Sequence, residues 1–139
     1  MTVANMMREE VVTTSPETAV NEVATAMRDE NVGSVVVVEN DVPVGLVTDR
    51  DIAVRIAADQ LDPAAMPVEN MMTEDPVTVA VDTGVFELCN RMCEEGVRRM
   101  PVVDDGELAG IITLDDLTVL LTGELGNLAG VIEAESPTY

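Results

Sequence analysis

The chain of 139 residues contains no histidine, no lysine and no tryptophan, and it has one phenylalanine, one tyrosine and two cysteines. Without histidine and lysine it lacks the most common general base and the residue that forms Schiff bases. It also lacks a Gly-x-Ser-x-Gly elbow, a Walker-type Gly-Lys-Thr loop and the glycine fingerprint of dinucleotide-binding domains. We therefore expect a protein that is not an enzyme, with no catalytic residues and no catalytic cofactor.

Basic charge and long apolar runs are scarce too. Seven arginines stand against 27 acidic residues, which gives a net charge of −20. This balance argues against nucleic acid and anionic membranes as partners, because both require a positive surface. No stretch reaches the ~18 apolar residues of a membrane span, and Met1–Glu10 does not resemble a secretory signal, so we expect a cytoplasmic protein. Molar salt would screen the repulsion between surface carboxylates, so the composition favours a halophilic cytoplasm over an ordinary acidic protein.

The sulfur-containing residues do not form a pattern typical of metal sites. Cys89 and Cys93 share a helix face, but no histidine and no second cysteine pair complete a tetrahedral site. We interpret Cys89 as a small buried apolar residue and Cys93 as a residue near the surface. The doublets Met6–Met7 and Met71–Met72 are interpreted as packing residues at the junction between two units, because soft-metal sites usually recruit cysteine or histidine as well.

The most informative feature that is present is an internal repeat. Asn5–Ile52 can be laid over Asn70–Leu117 without a gap, at a constant offset of 65 residues, so that Gly45–Asp51 falls on Gly110–Asp116. Two copies of this length indicate two similar units packed about a pseudo-two-fold axis, because one unit alone could hardly bury its apolar face. A ligand site should therefore exist in two related versions.

Within each copy the spacing of apolar residues changes in the same order. Val20, Val23 and Met27 recur at the spacing of one helix face, whereas the run Val35–Val38 is typical of a buried strand. The second copy repeats this order, so we predict an α+β fold of two β-α-β-β-α units. The predicted N-caps of the first helices are Thr18 and Thr83, and the predicted strands are Val11–Val12, Val35–Val38, Val44–Val47, Met100–Val103 and Ala109–Ile112.

The predicted units span residues 1–62 and 68–122, and a linker with two prolines joins them at 63–67. Residues 123–139 form a C-terminal tail in which Gly123, Gly126 and Gly130 lie among apolar residues. We expect a weak or broken helix there, packed on the body of the protein or on a second protomer.

A hydroxyl and a carboxylate recur where a strand meets a helix in each copy, as Thr48-x-x-Asp51 and Thr113-x-x-Asp116. A helix N-terminus attracts anions through its unpaired N–H groups, and an ionised carboxylate accepts hydrogen bonds from the two hydroxyls of a ribose. The spacing therefore fits a nucleoside phosphate. The alternative is that these residues only cap their helices, which Thr and Asp do in many proteins.

The ordered motifs resemble a tandem pair of cystathionine β-synthase (CBS) domains over about Val3 to Leu121. The resemblance is carried by Gly45–Asp51, Val97–Val103 and Gly110–Asp116. It implies a disc-shaped module with two clefts that commonly bind adenosyl compounds, in which the threonine contacts phosphate and the aspartate holds the ribose. By this resemblance, one cleft combines Thr48 and Asp51 with Pro76, Val77, Arg99, Met100 and Pro101, and the other combines Thr113 and Asp116 with Val11, Val12, Gly33, Ser34 and Val35.

The two copies differ most usefully at Arg98–Arg99, which replaces Gly33–Ser34 of the first copy. An arginine pair can grip phosphate through charge-assisted, bidentate hydrogen bonds, so we expect unequal clefts. The alternative is a surface salt bridge from these arginines to Glu94, Glu95 or Asp104.

Together these features predict a regulatory module that binds AMP, ADP or ATP, with S-adenosylmethionine or NAD as further candidates for the ligand. We expect a homodimer that acts on an unidentified effector protein. The alternative is a dimerisation or protein-interaction module that works without a ligand.

Overall fold

The computed structural model describes residues 1–137, so that Thr138 and Tyr139 of the predicted tail lie outside the described range. Short 3₁₀ turns at Val3–Asn5 and Val68–Asn70 precede the two copies. The remaining elements are β1 Thr13–Thr14, α1 Val20–Glu30, β2 Ser34–Glu39, β3 Val42–Thr48, α2 Asp49–Asp59, β4 Thr73–Glu74, β5 Val79–Ala80, α3 Val85–Glu95, β6 Arg99–Asp104, β7 Glu107–Thr113 and α4 Leu114–Glu135.

The strands form two sheets that repeat the same pattern. In the first sheet the order is β1-β2-β3-β4, with β1 parallel to β2 and the other pairs antiparallel. In the second sheet the order is β5-β6-β7, and β5 is parallel to β6. The register shifts at the same point in both β-hairpins, between Val37 and Val38 and between Val102 and Val103. The predicted α+β fold of two β-α-β-β-α units is confirmed.

The N-terminal segment of each copy packs on the other copy. Val3 is fully buried in the second core, beside Val79 and Leu88, and Val68 is fully buried in the first core, beside Val23 and Val47. β4 likewise belongs to the start of the second copy in sequence but pairs with β3 of the first. Because core residues are exchanged in this way, the division at 1–62 and 68–122 remains a proposal, and we expect neither half to fold alone.

The start of each first helix differs from the prediction. α1 has Ala19 at its N-cap and α3 has Gly84, and neither makes a side-chain capping bond, so Thr18 and Thr83 are not N-caps. In α1 the carbonyl of Met66 accepts from the N–H of Val20 at 2.9 Å. Linker carbonyls thus replace the side-chain cap that the sequence predicted.

The first strand and the sulfur-containing residues also differ in detail from their predictions. β1 lies at Thr13–Thr14, just after Val11–Val12, although the carbonyl of Val12 still accepts from the N–H of Val36 at 3.1 Å. The methionine doublets do contribute to packing, with Met6 and Met7 against the second core, and Met71 buried. Cys89 is half-buried rather than buried, and Cys93 is exposed.

Helix α4 is longer and more regular than the sequence indicated. Its 22 residues run without a break through all three glycines, and every described residue after Leu120 is exposed, so the tail does not pack on the body of the protein. By length and composition this helix could cross a membrane, which the search for an apolar run did not anticipate. The first turn of the helix, however, contains Leu117, which is buried in the second core.

Candidate functional site

The end of β3 and the start of α2 form one wall of a cleft of about 490 Å³, and the second copy supplies the facing wall. Strand β3 ends at Thr48, so the threonine and the first turn of α2 meet at the mouth of this cleft. The cleft brings together six of the predicted site residues, and the full lining is Leu46, Thr48, Asp49, Arg50, Asp51, Thr73, Asp75, Pro76, Val77, Val97, Arg98 and Arg99.

Thr48 and Asp51 form a reciprocal capping box at the start of α2. The Thr48 Oγ1 atom accepts from the Asp51 N–H at 3.1 Å, and Asp51 Oδ2 accepts from the Thr48 N–H at 3.1 Å. The capping alternative is therefore real, but it leaves the Thr48 hydroxyl proton free to donate. Within residues 1–137 the other oxygen of Asp51 accepts no hydrogen bond. The same pair can cap the helix and still offer one donor and one acceptor to a ligand.

The helix N-terminus contributes less to anion binding than the sequence suggested. The N–H of Asp49 donates to the carbonyl of Gly33 at 3.0 Å, and the N–H of Arg50 donates to Asp49 Oδ1 at 2.8 Å. Because the third amide is taken by Thr48, the first three N–H groups of α2 are already bonded. An anion in this cleft must therefore be held by side chains.

Arg98 and Arg99 supply positive charge to that cleft. Arg98 is exposed and lies 3.5 Å from Asp115, whereas the predicted alternative pairs with Glu94, Glu95 or Asp104 do not occur within the described residues. Arg99 is half-buried, and its Nη1 donates to the carbonyl of Gly33 at 3.2 Å. Its Nε atom is buried and has no partner among residues 1–137. A single hydrogen bond thus holds a guanidinium that lines both clefts.

The second cleft is smaller, about 330 Å³. It brings together Thr113 with four other residues predicted for this cleft and with Arg99, which was predicted for the first. Its full lining is Arg8, Glu10, Val11, Val12, Asn31, Val32, Gly33, Ser34, Arg99, Ile111, Thr113 and Asp115. Asp116 is not part of that lining.

Asp116 is held by an arginine that the sequence analysis did not single out. The Nη2 atom of Arg8 lies 2.7 Å from Asp116 Oδ1, and its Nε lies 3.2 Å from both carboxylate oxygens. The hydroxyl of Thr113 donates to Oδ2 at 2.8 Å. Burial by itself would raise the pKa of Asp116, but the hydrogen bonds from Arg8 and Thr113 and the charge of Arg8 outweigh it, so the pKa lies below its ordinary value.

Besides Asp116, three predicted site residues are absent from the linings of both clefts. Met100 and Val35 are buried in the second and first cores, respectively, and Pro101, which follows Met100 in β6, is buried too. Their strands present neighbouring residues to the clefts instead. A depression of about 1130 Å³ lies between the N-terminal segment and α1 and is lined by Arg8 and by five acidic residues, Glu9, Glu10, Glu22, Asp29 and Glu30. Such a lining repels an anionic ligand.

A CBS-domain profile matches the chain twice, at residues 3–58 and at residues 68–123. The chain belongs to the CBS-domain family. It is 37% identical over 117 residues to the CBS domain-containing protein YhcV of Bacillus subtilis, a match that covers 84% of this chain and 83% of that protein. It is 36% identical over 119 residues to the uncharacterized protein MK0525 of Methanopyrus kandleri, and that match covers 84% of this chain but 61% of the relative.

The CBS pair also resembles solved structures over most of its length. One is the CBS domain pair of protein MJ0100, solved in complex with 5′-methylthioadenosine and S-adenosyl-L-methionine. The TM-score is 0.80 at 25% identity, and the match covers 89% of this chain and 98% of that one. A relative with this architecture therefore binds adenosyl ligands.

Among the residues that the sequence analysis missed are Arg8 in the second cleft and Thr73 and Asp75 in the first. All three belong to the N-terminal segments that pack on the opposite copy. The repeat itself contained a usable signal, because Arg8 and Thr73 occupy equivalent positions at the offset of 65 residues and differ in charge.

Proposed function

We propose that this CBS pair is a regulatory module that binds an adenosyl ligand in the cleft of Thr48 and Asp51 and has no catalytic activity. The observation that carries the proposal is the combination in one cleft of a free hydroxyl donor, two arginines and a carboxylate oxygen that has no partner in the described part of the chain. The ligand complex of the MJ0100 pair supports the same class of ligand.

Each part of an adenine nucleotide has a matching group in this cleft. The open carboxylate oxygen of Asp51 accepts from the ribose hydroxyls, and the Thr48 hydroxyl donates to the phosphate. Arg98 and Arg99 neutralise that phosphate through charge-assisted hydrogen bonds. Pro76 and Val77 provide apolar surface for the base. The arginines favour AMP, ADP or ATP, while S-adenosylmethionine and NAD remain candidates for the same carboxylate.

Regulation follows if the ligand binds two arrangements of the units with different affinity. The first cleft has walls from both copies, so a ligand there contacts both and favours one relative orientation. We propose that this orientation is read by an effector protein and that the module works as a cytoplasmic homodimer without nucleic-acid or membrane partners.

The test is thermal unfolding in molar KCl with AMP, ADP, ATP, S-adenosylmethionine, 5′-methylthioadenosine and NAD. A ligand at 100 times its Kd adds about 2.7 kcal/mol to the free energy of unfolding. We expect Asp51→Asn to remove the shift, because the amide can still accept the capping bond but lacks the charge. Asp59→Asn is the matched control, since it makes the same change at an exposed position at the other end of α2. The absence of a shift with every compound would contradict the proposal.

A second candidate function, ligand-independent self-association, is favoured by α4. Leu121, Leu125, Leu128 and Ile132 follow one another at intervals of four, three and four residues and are 41, 66, 64 and 68% exposed. This heptad spacing is typical of a helix that packs against a copy of itself. Sedimentation of the double variant Leu125→Glu/Ile132→Glu separates the candidates: loss of the dimer with retained nucleotide binding would assign α4 to association alone.

A further inference from the structure

The Thr-Asp pairs of the two clefts differ in what they already bind. In the first cleft the Thr48 hydroxyl proton and one oxygen of Asp51 have no partner among residues 1–137. In the second, the Thr113 hydroxyl is spent on Asp116 at 2.8 Å, and Arg8 contacts both oxygens of that carboxylate at 3.2 Å or less. The groups that would hold a phosphate and a ribose in the second cleft are therefore bonded to the protein itself.

Arg8 is fixed in this position by its backbone. Its N–H donates to the carbonyl of Ile111 at 2.9 Å, and its carbonyl accepts from the N–H of Ile111 at 2.9 Å. Upstream, Val3 is fully buried in the second core, which anchors the whole segment. The arginine side chain therefore extends from an ordered strand edge.

The repeat provides an internal comparison. Thr73 occupies the place of Arg8 in the other sheet, where it pairs with Leu46 of β3. Its short side chain makes no hydrogen bond to Asp51 within residues 1–137. The copy with Arg8 at this position thus has a blocked carboxylate, Asp116, whereas the copy with Thr73 has an open one, Asp51.

We propose, building on the function proposed above, that Arg8 closes the second cleft to nucleosides, so that each chain binds one adenosyl ligand, in the cleft of Thr48 and Asp51. A ribose can use Asp116 only after the arginine is displaced, which forfeits hydrogen bonds to a charged group. We expect this to weaken the second site by about tenfold or more.

The charge of the second cleft dictates the probe. Once Arg8 is removed, Glu10 and Asp115 of the lining, together with Asp116 bonded to Thr113 beside it, outweigh Arg99, so a phosphate would be repelled there. The probe is therefore 5′-methylthioadenosine, which has the ribose hydroxyls but no phosphate. Equilibrium dialysis of the full chain in molar KCl counts bound molecules per chain for the wild type and for Arg8→Thr, which installs the residue of the first copy.

We expect Arg8→Thr to gain one site over the wild type, and the double variant Arg8→Thr/Asp116→Asn to lose that gain. Arg8→Gln, which keeps most of the side-chain length but removes the charge, is the second variant if threonine disturbs folding, and it should gain the same site. Arg28→Thr is the matched control, because it removes an exposed arginine that lines neither cleft. The control should gain none.

The outcomes separate this inference from the proposed function. Two equal sites in the wild type, or no additional site in either Arg8 variant, would overturn the role of Arg8 while leaving a ligand-binding module intact. A wild type that binds none of the six compounds, together with Arg8 variants that bind none, would overturn both. A site gained in the Arg8 variants and lost again with Asp116→Asn supports the closure of the second cleft by Arg8.

Discussion

Replacing Gly110 by alanine is expected to detach the N-terminal segment from the second sheet. A Cβ atom at Gly110 would lie 2.7 Å from the backbone oxygen of Arg8 and 2.7 Å from Sδ of Met7. The methionine can turn away. The Arg8 carbonyl cannot, because it is held by the pair of 2.9 Å hydrogen bonds between Arg8 and Ile111. Alanine must therefore stretch or break that pair.

The size of the effect follows from the atoms that have to move. Forcing an extra methyl group against fixed backbone costs about 1–3 kcal/mol, and each weakened hydrogen bond forfeits up to about 1 kcal/mol. We expect Gly110→Ala to lower the free energy of unfolding by about 2–4 kcal/mol, a large part of the ~5–15 kcal/mol of an ordinary domain. Gly45 is the equivalent glycine of the first copy, but the atoms nearest to its added Cβ belong to the flexible Met72 side chain rather than to backbone, so Gly45→Ala should cost about 1 kcal/mol.

Urea denaturation in 2 M KCl, followed by circular dichroism, measures both variants at a fixed ionic strength. Gly123→Ala is the control: that glycine lies in α4 with no atom within 4 Å of an added Cβ, so alanine should stabilise the protein by up to about 1 kcal/mol. The reasoning would be refuted if Gly110→Ala stayed within about 0.5 kcal/mol of the wild type, or if Gly45→Ala proved the more costly of the two.

Three further predictions concern the core, acid and salt. Leu88→Ala should lower the free energy of unfolding by about 2–5 kcal/mol in the same urea assay, because Leu88 is fully buried. Phe86→Ala on the same helix should change it little, because Phe86 is 85% exposed, and equal costs would contradict this. Since the pKa of Asp116 is lowered, its pairing with Arg8 contributes stability above the ordinary pKa and loses it as the pH falls through the lowered one. The difference in stability between the wild type and Arg8→Thr should therefore shrink as the pH falls below the ordinary pKa of aspartate, and a difference that grew toward acid would contradict this assignment. With a net charge of −20, the urea midpoint should rise from 0.1 to 2 M KCl as the repulsion is screened, and a flat or falling midpoint would speak against the halophilic interpretation.

The sequence allowed the elements of each copy to be predicted because their signals are local. A helix face repeats every three to four residues and a buried strand is a run of β-branched residues, so α1, α3 and the hairpins were found near their observed bounds. The offset between the copies then placed Thr48 on Thr113 and Asp51 on Asp116. The family resemblance supplied the two clefts that local patterns cannot show.

What could not be predicted depends on contacts between distant parts of the chain. Arg8 binds a carboxylate 108 residues away, and a repeat comparison relates Arg8 to its counterpart, Thr73, rather than to the residue that it touches. The capping of α1 by Met66 has the same origin, since that carbonyl belongs to the linker. The continuity of α4 was missed for a different reason: glycine lowers helix propensity by ~1 kcal/mol per residue, but three of them did not end a helix that starts from a well-capped first turn.

The places where the two copies have diverged bear on how such a module could signal. The equivalent helices α1 and α3 both have 11 residues, and both hairpins shift register at equivalent positions, so these elements have kept the symmetry. The charged differences, Arg8 against Thr73 and Arg98–Arg99 against Gly33–Ser34, lie instead at the clefts. A ligand that filled two equal clefts would favour a symmetric arrangement of the units. If only one cleft is open, as we propose, each bound ligand instead lies on one side of the pseudo-two-fold axis and tilts one unit against the other. An effector protein can distinguish this tilted arrangement from the empty state.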